Sequence, residues 1–369
     1  MNLSYWELKS WLTNIDFAIV GSGIVGLNCA LQLRHRFPES KILVLEKGYL
    51  PQGASTKNAG FACFGSLSEL LNDLKTHSEE EVLGLVKDRV QGLKVLRETL
   101  GDAIIDYKAY GGYEVFLSED ELFQECVSNK DKINTLLKPL FDDEVFSLKP
   151  NLFDFSNVET QYIFNQFEGQ LDTGKMMQAL LNKVRQADIN ILNNITMESF
   201  SEENDRVFIS TNQFEFSASK LLIANNGFAA QLLNENVKPA RAQVLITKPI
   251  KDLHIKGAFH LDKGYYYFRN IDDRVLFGGG RNLDFKAEET TDFGQTQLVQ
   301  EKLEDILKTT ILPSTPFEIE HRWSGIMGVG VQKKPIVKQL SNNVFCGVRL
   351  GGMGVAIGSL VGKDLASLV

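Results

Sequence analysis

A glycine pattern near the N-terminus constrains this chain more than any other feature. Gly21-x-Gly23-x-x-Gly26 follows a β-rich run, Asp16-Phe-Ala-Ile-Val20. It opens a segment in which Leu27, Ala30, Leu31, Arg34 and His35 suggest a helix with one apolar face. Pro38-Glu39-Ser40 breaks that helix, and Lys41-Ile-Leu-Val-Leu45-Glu46 reads as a second buried strand. Strand, glycine turn, helix and strand in this order make a βαβ unit, which builds parallel sheets.

The spacing has a physical use. Gly21 permits a tight turn, Gly23 lets backbone approach a pyrophosphate, and Gly26 lets the helix pack close to the strand. The helix N-terminus offers unpaired N–H groups and partial positive charge to phosphate. Glu46, 20 residues after Gly26, stands where a carboxylate accepts hydrogen bonds from ribose hydroxyls and repels a 2′-phosphate. The motif therefore points to a dinucleotide other than NADP, without separating NAD from FAD. A bare glycine turn before a helix would explain the three glycines but neither the strands nor the acid.

Composition narrows the partners. The 369 residues carry 39 Lys plus Arg against 47 Asp plus Glu, a net charge of −8, which disfavours a nucleic-acid partner. No run approaches the ~20 apolar residues of a membrane span. Residues 1–14 lack the basic start and apolar centre of a secretory signal. Cys29, Cys63, Cys126 and Cys346 are scattered without CxxC spacing, so a disulfide framework is not expected and a cytoplasmic setting is. The five histidines form no HxH or HxxxH pair, so no metal site is expected.

Beyond Pro51 the chain enters Gly53-Ala-Ser-Thr-Lys-Asn-Ala-Gly60, small polar residues that let backbone pass close to a flat ligand. Helical periodicity covers 66–100, 119–140 and 175–185, with a helix also expected over 295–309. Strands are expected at 110–117, 189–200, 206–211 and 220–224, and 240–281 alternates as an aromatic-rich antiparallel meander. The tail reads strand 343–348, glycine turn Gly351-Gly-Met-Gly354, then helix.

With these pieces in view, the chain resembles the D-amino-acid oxidase/glycine oxidase superfamily of flavoproteins, nearest its γ-glutamylputrescine oxidase-like members. The matching stretches are Ser4-Tyr-Trp6, Gly53 to Gly60, Gly169-Gln-Leu-Asp172, Leu222-Ile-Ala-Asn-Asn-Gly-Phe228, Arg322-Trp-Ser-Gly-Ile-Met327 and Gly351 to Gly354. They span nearly the whole chain. The resemblance implies an α/β fold: a Rossmann-like FAD-binding domain (1–65, 155–235 and 320–369) interleaved with an α+β substrate domain on a mixed or antiparallel sheet (66–154 and 236–319).

It also implies where FAD lies. Gly21, Ser22, Gly23 and Gly26 hold the pyrophosphate, and Glu46 and Lys47 the adenosine ribose region. Ser55, Thr56, Asn58, Ala59 and Gly60 line the path to the isoalloxazine, while Met197 meets adenine through its backbone. Asn226 and Gly227 join this set, and Arg349 with Gly351, Gly352, Met353 and Gly354 passes beside the pyrimidine edge. Relatives commonly have Arg or a small residue where this chain has Lys57. Some relatives bind FAD covalently through a cysteine near the position of Met327; no cysteine stands there, so FAD is expected to be non-covalent.

No second strand–GxGxxG–helix unit follows, so the electrons are expected to come from an organic substrate. The expected reaction oxidises the C–N bond of a small amine, with O2 or another acceptor taking the electrons onward. An amino-acid oxidase of glycine, sarcosine or D-amino-acid type is the alternative, and a non-catalytic dinucleotide-binding protein a third reading. Leu261-Asp-Lys-Gly-Tyr-Tyr-Tyr-Phe268 places Tyr265 and Tyr267 on one strand face, where rings could cage an alkylammonium. Tyr265, Tyr267, Met327 and Arg349 are the expected catalytic residues. Arg241, Arg269, Arg281 and Arg322 are candidates to clamp a carboxylate.

Overall fold

The computed structural model describes residues 2–369. Two large sheets organise it. In the first, Val344–Val348, Glu215–Ile223, Ile15–Val20, Ile42–Glu46 and Asn190–Asn193 run parallel in that spatial order. Ile336–Gln339 adds antiparallel at one edge, and Met197–Glu203 with Arg206–Thr211 forms an antiparallel extension. Ile42–Glu46 is buried at every position, as strands covered on both faces must be.

The helix Ile24–Arg36 departs from the expected single apolar face. Every residue from Ile24 to Ala30 is buried, because the sheet, the helix Thr173–Gln186 and the terminal helix Gly354–Ser367 enclose its first turns. Small residues permit this. A Cβ on Gly362 would stand 2.6 Å from the Val25 carbonyl oxygen, so the two helices meet almost backbone to backbone.

The second sheet runs Ile319–Val329, Lys238–Thr247, Arg274–Gly279, Tyr266–Ile271, Ala258–Leu261, Gly112–Glu114, Gln161–Asn165 and Phe146–Pro150. Pairing is antiparallel except between Ala258–Leu261 and Gly112–Glu114. The fold is thus mixed α/β with a largely parallel sheet and a mixed, mainly antiparallel one. Gln161–Asn165 and Ile319–Val329 belong to the second sheet, although the expected boundaries put them in the FAD-binding stretches. The helices Leu67–Leu74 and Glu79–Leu100 each begin with a capping box, Ser66 with Glu69 and Ser78 with Glu81. The expected helix over 295–309 is α-helical at Gln297–Ile306 and ends in a π-turn, Leu307–Ile311.

Candidate active site

The carboxyl ends of the parallel strands converge on a cavity of about 450 Å³ lined by Val20, Glu46, Ala224 and Arg349 at one end. Its other end meets the second sheet at Tyr267, Gly279 and Ile326. Open α/β sheets bind ligands at the carboxyl ends of their strands, so the position follows from the topology.

At the glycine turn, geometry dictates residue type. Gly21 has φ +104°, and a Cβ there would stand 2.9 Å from the Ala224 carbonyl oxygen. Gly23 caps the helix with no side chain of its own. The Ile24 N–H donates instead to Ser55 Oγ at 3.0 Å, which ties the turn to the Gly53–Gly60 segment.

Glu46 lines the cavity and also organises it. Its Oε2 accepts from the Ser22 N–H at 3.1 Å and the Ser22 hydroxyl at 2.7 Å. Its Oε1 accepts from the N–H groups of Gly48 at 2.9 Å and Gln52 at 3.2 Å. About four acceptor sites exist on a carboxylate, so a ribose hydroxyl bonding Glu46 must share or displace the Ser22 hydroxyl. Ser22 itself is buried and does not line the cavity. Lys47 lines it, with its ammonium 3.9 Å from the centre of the Phe228 ring, and burial lowers its pKa despite the pull of Glu46.

The next stretch divides. Ser55, Asn58 and Ala59 line the cavity, as do Lys57 and Phe61. Thr56 turns away and donates to the Pro51 carbonyl at 2.6 Å. Gly60 also lies off the cavity wall, at φ +72°, where a Cβ would meet the Leu171 carbonyl oxygen at 2.2 Å. Met197 and Asn226 line the cavity, whereas Gly227 packs under the Met327 carbonyl. Asn226 Oδ1 accepts from the N–H groups of Arg349 at 3.0 Å and Leu350 at 3.2 Å. Gly351, Gly352, Met353 and Gly354 all line the cavity, and a Cβ on Gly351 or Gly352 would meet no atom within 4 Å. This open cradle leads into the N-terminus of Gly354–Ser367. The residues fit FAD on this chain's own geometry: a glycine turn at a helix N-terminus, a carboxylate beside it, and a buried orphan, Asn225 Oδ1, in the same wall.

The four expected catalytic residues have different surroundings. Tyr267 faces the cavity while Tyr266 and Phe268 enter the core of the second sheet, as the alternation requires. Burial pushes the Tyr267 phenol up to about 12. Tyr265 and Met327 also line the cavity. Arg349 does so too, but its guanidinium is committed to backbone. It donates to the Lys334 carbonyl at 3.1 and 2.9 Å and to the Asn236 carbonyl at 3.0 Å.

The four arginines raised as carboxylate clamps separate cleanly. Arg241 forms a bidentate pair with Glu288, and Arg322 bonds Gln300 and Glu304. Arg269 is buried beside Gly60, with Nε unpartnered, and burial lowers it to about 10. Arg281 lines the cavity, where its guanidinium meets the rings of Tyr265 and Phe285, centred 5.7 and 5.1 Å away, and its charge also acts on the Tyr267 phenol.

Sequence spacing missed one group altogether. Cys63, Glu168 and His260 bring their polar atoms within 4.8 Å of one another, all buried, and Cys63 and His260 line the cavity. This is the one grouping of potential metal ligands found among the described residues. Glu168 Oε1 accepts from the N–H groups of Phe64 at 3.0 Å and Gly65 at 3.2 Å, whereas His260 Nε2 is buried without a hydrogen-bond partner. The signal in the sequence was weak but present, a histidine inside the apolar run Ala258-Phe-His-Leu261.

Comparison with known proteins agrees with this geometry. At 24% identity over 379 residues, the chain is similar to gamma-glutamylputrescine oxidoreductase of Escherichia coli (strain K12), covering 96% of this chain and 83% of that one. The fold matches glycine oxidase from Geobacillus kaustophilus with a TM-score of 0.75 at 18% identity, covering 96% of this chain and 94% of that one. It also matches L-proline dehydrogenase from P. horikoshii with a TM-score of 0.74 at 16% identity, covering 96% and 93%. A family model described as "DAO: FAD dependent oxidoreductase" matches residues 16–368. The chain belongs to this family of FAD-dependent oxidoreductases, which act on amines or amino acids.

Proposed function

We propose that the protein oxidises the C–N bond of a small amine, with O2 accepting the electrons, and that the product is an imine that water converts to a carbonyl compound. The observation that carries this reading is the continuity of the cavity. It runs without a break from Gly21 and Glu46 to a chamber walled by Phe61, Tyr267 and Met327. Bound FAD supplies the acceptor for the hydride that leaves the substrate carbon. The chain's own residues orient the amine: Tyr265 and Tyr267 offer ring faces to an alkylammonium and phenols to hydrogen-bond it. The relative named for γ-glutamylputrescine supports an amine as donor.

FAD is held without a covalent bond in this reading. Cys63 is the one cysteine lining the cavity; its thiol faces the Gly169 carbonyl, and burial beside Glu168 pushes its pKa up, away from the reactive thiolate. All four cysteines are free and buried, which supports a reducing, cytoplasmic setting. No helix among the described residues is long and apolar enough to cross a membrane.

Arg281 favours a second reading, an amino-acid oxidase. Of the cavity-lining arginines, Arg89 and Arg349 donate to backbone carbonyls, leaving Arg281 available to a substrate carboxylate. Anaerobic reduction by putrescine-like amines, glycine, sarcosine and D-alanine discriminates, with Arg281→Gln as the control. Loss of more than tenfold in apparent affinity for the acids alone assigns the clamp, since one charge-assisted contact contributes ~1.5–3 kcal/mol. Reduction by simple amines, unchanged by Arg281→Gln, supports the amine reading.

A further inference from the structure

We propose that His260, oriented by Glu168, is the base that removes a proton from the substrate's ammonium group before oxidation. The proposal rests on the amine-oxidation reading above. Alkylamines with pKa values near that of lysine, ~10, arrive protonated at neutral pH. An ammonium nitrogen has no lone pair with which to form the C=N bond. One N–H bond must therefore break, its electron pair staying on nitrogen and its proton passing to an imidazole nitrogen. No electrons leave the substrate in this step, so no oxidant is involved until it is complete.

The geometry supplies what such a base needs. His260 lines the cavity, and its ring meets Phe61 edge-on at 5.3 Å; Phe61 in turn meets Tyr267 at 5.6 Å. His260 Nε2 lies 3.5 Å from Glu168 Oε2, within ion-pair range though long for a hydrogen bond. Among the described residues the other ring nitrogen, Nδ1, has no partner. Glu168 is fixed by its two backbone donors, and Gly112 leaves it room: a Cβ there would stand 2.1 Å from Glu168 Oε2. A base backed by an oriented carboxylate is the recurrent arrangement of proton-transfer sites.

The groups facing His260 come from several elements. Glu168 and Cys63 adjoin it directly. Glu114 is its register partner on the neighbouring strand and accepts from the Ser66 hydroxyl and from the Ser68 N–H and hydroxyl. Glu69 and Arg89 line the same chamber. Burial alone would lower the His260 pKa, but Glu168, then Glu69 and Glu114, outweigh it and raise the value. The neutral, proton-accepting form therefore fills in at a pH above the ordinary ~6.5.

Two measurements on the FAD-loaded protein test this. The pH profile of kcat/KM for the best amine should rise along an acidic limb in the wild type. H260N should lose 10²- to 10⁴-fold and lose that limb, with H260Q as substitute where H260N does not fold. E168Q should move the limb to lower pH. Independently of turnover, proton NMR of the imidazole C2–H signals, identified by their loss in H260N, should show His260 titrating above ~6.5 in the wild type and lower in E168Q. Turnover by H260N within threefold of wild type, or an unmoved His260 titration in E168Q, overturns the proposal. If no amine reduces the wild-type flavin, the amine reading itself fails and the proton step falls with it. Wild-type turnover that survives H260N removes this proposal alone.

Discussion

Gly26 faces Gly21 so closely that a Cβ on Gly26 would stand 1.9 Å from the Gly21 carbonyl oxygen. The contact presses the helix Ile24–Arg36 onto the turn that its own N-terminus follows, and so sets where the first helical N–H groups point. No flexible side chain lies in the way, because the atom that must yield is backbone.

Gly26→Ala is therefore expected to cost at least the ~1–3 kcal/mol of an overpacked core, and to separate turn from helix. Thermal unfolding and FAD content per chain check this together. A variant with unchanged Tm and full FAD would show that the turn tolerates the extra carbon.

The Ser22 N–H and hydroxyl both donate to Glu46. Ser22→Ala removes a charge-assisted hydrogen bond from a buried carboxylate, a loss of ~1.5–3 kcal/mol. The freed acceptor site is then open to a ribose hydroxyl. Stability of the FAD-free protein should fall, while FAD affinity measured by fluorescence should fall by less than the stability change implies. Glu46→Gln, which puts an amide where three N–H groups converge, should weaken FAD binding by tenfold or more.

Tyr267 stays protonated through the working range, since burial holds its phenol at about 12. Tyr267→Phe should therefore lower kcat/KM without moving either limb of its pH profile below ~10. A displaced limb would show that the phenol titrates during turnover.

His260 also links stability to pH. Its folded pKa is raised above the unfolded value near 6.5, so its contribution is fully present below ~6.5 and fades as pH rises through the folded pKa. The Tm difference between wild type and H260N should be larger on the acidic side of this window than on the alkaline side. The opposite trend would mean that His260 is buried neutral.

Much of the nucleotide end was legible because its requirements are local. A strand, three glycines and an acid at fixed spacing state a backbone geometry that few other structures need; Gly21, Gly23 and Glu46 line the cavity, and Gly26 packs against the Gly21 carbonyl. Tyr267 was legible for the same reason, strand alternation. Within Gly53–Gly60 the individual cavity-facing residues are not legible, because a 3₁₀ turn at Ala54–Thr56 sends Ser55 toward the cavity and Thr56 away from it. No period-two or helical pattern predicts that division.

The His260–Glu168 pair was not legible, since strand pairing alone joins residues 92 positions apart. Ala258–Leu261 lies on Gly112–Glu114, which lies on Gln161–Asn165, and Glu168 follows that last strand. The same pairing carries Gln161–Asn165 and Ile319–Val329 into the second sheet, and neither strand alternates strictly enough to announce it.

The central claim is that one cavity holds FAD at its glycine end and an oxidisable amine at its tyrosine end. Anaerobic titration of the FAD-loaded protein with a panel of amines and amino acids tests it most directly, read in the flavin's visible absorption. At least one amine should bleach the band, and admitting O2 should restore it. A flavin that dithionite bleaches but that no amine or amino acid can reduce would contradict the claim.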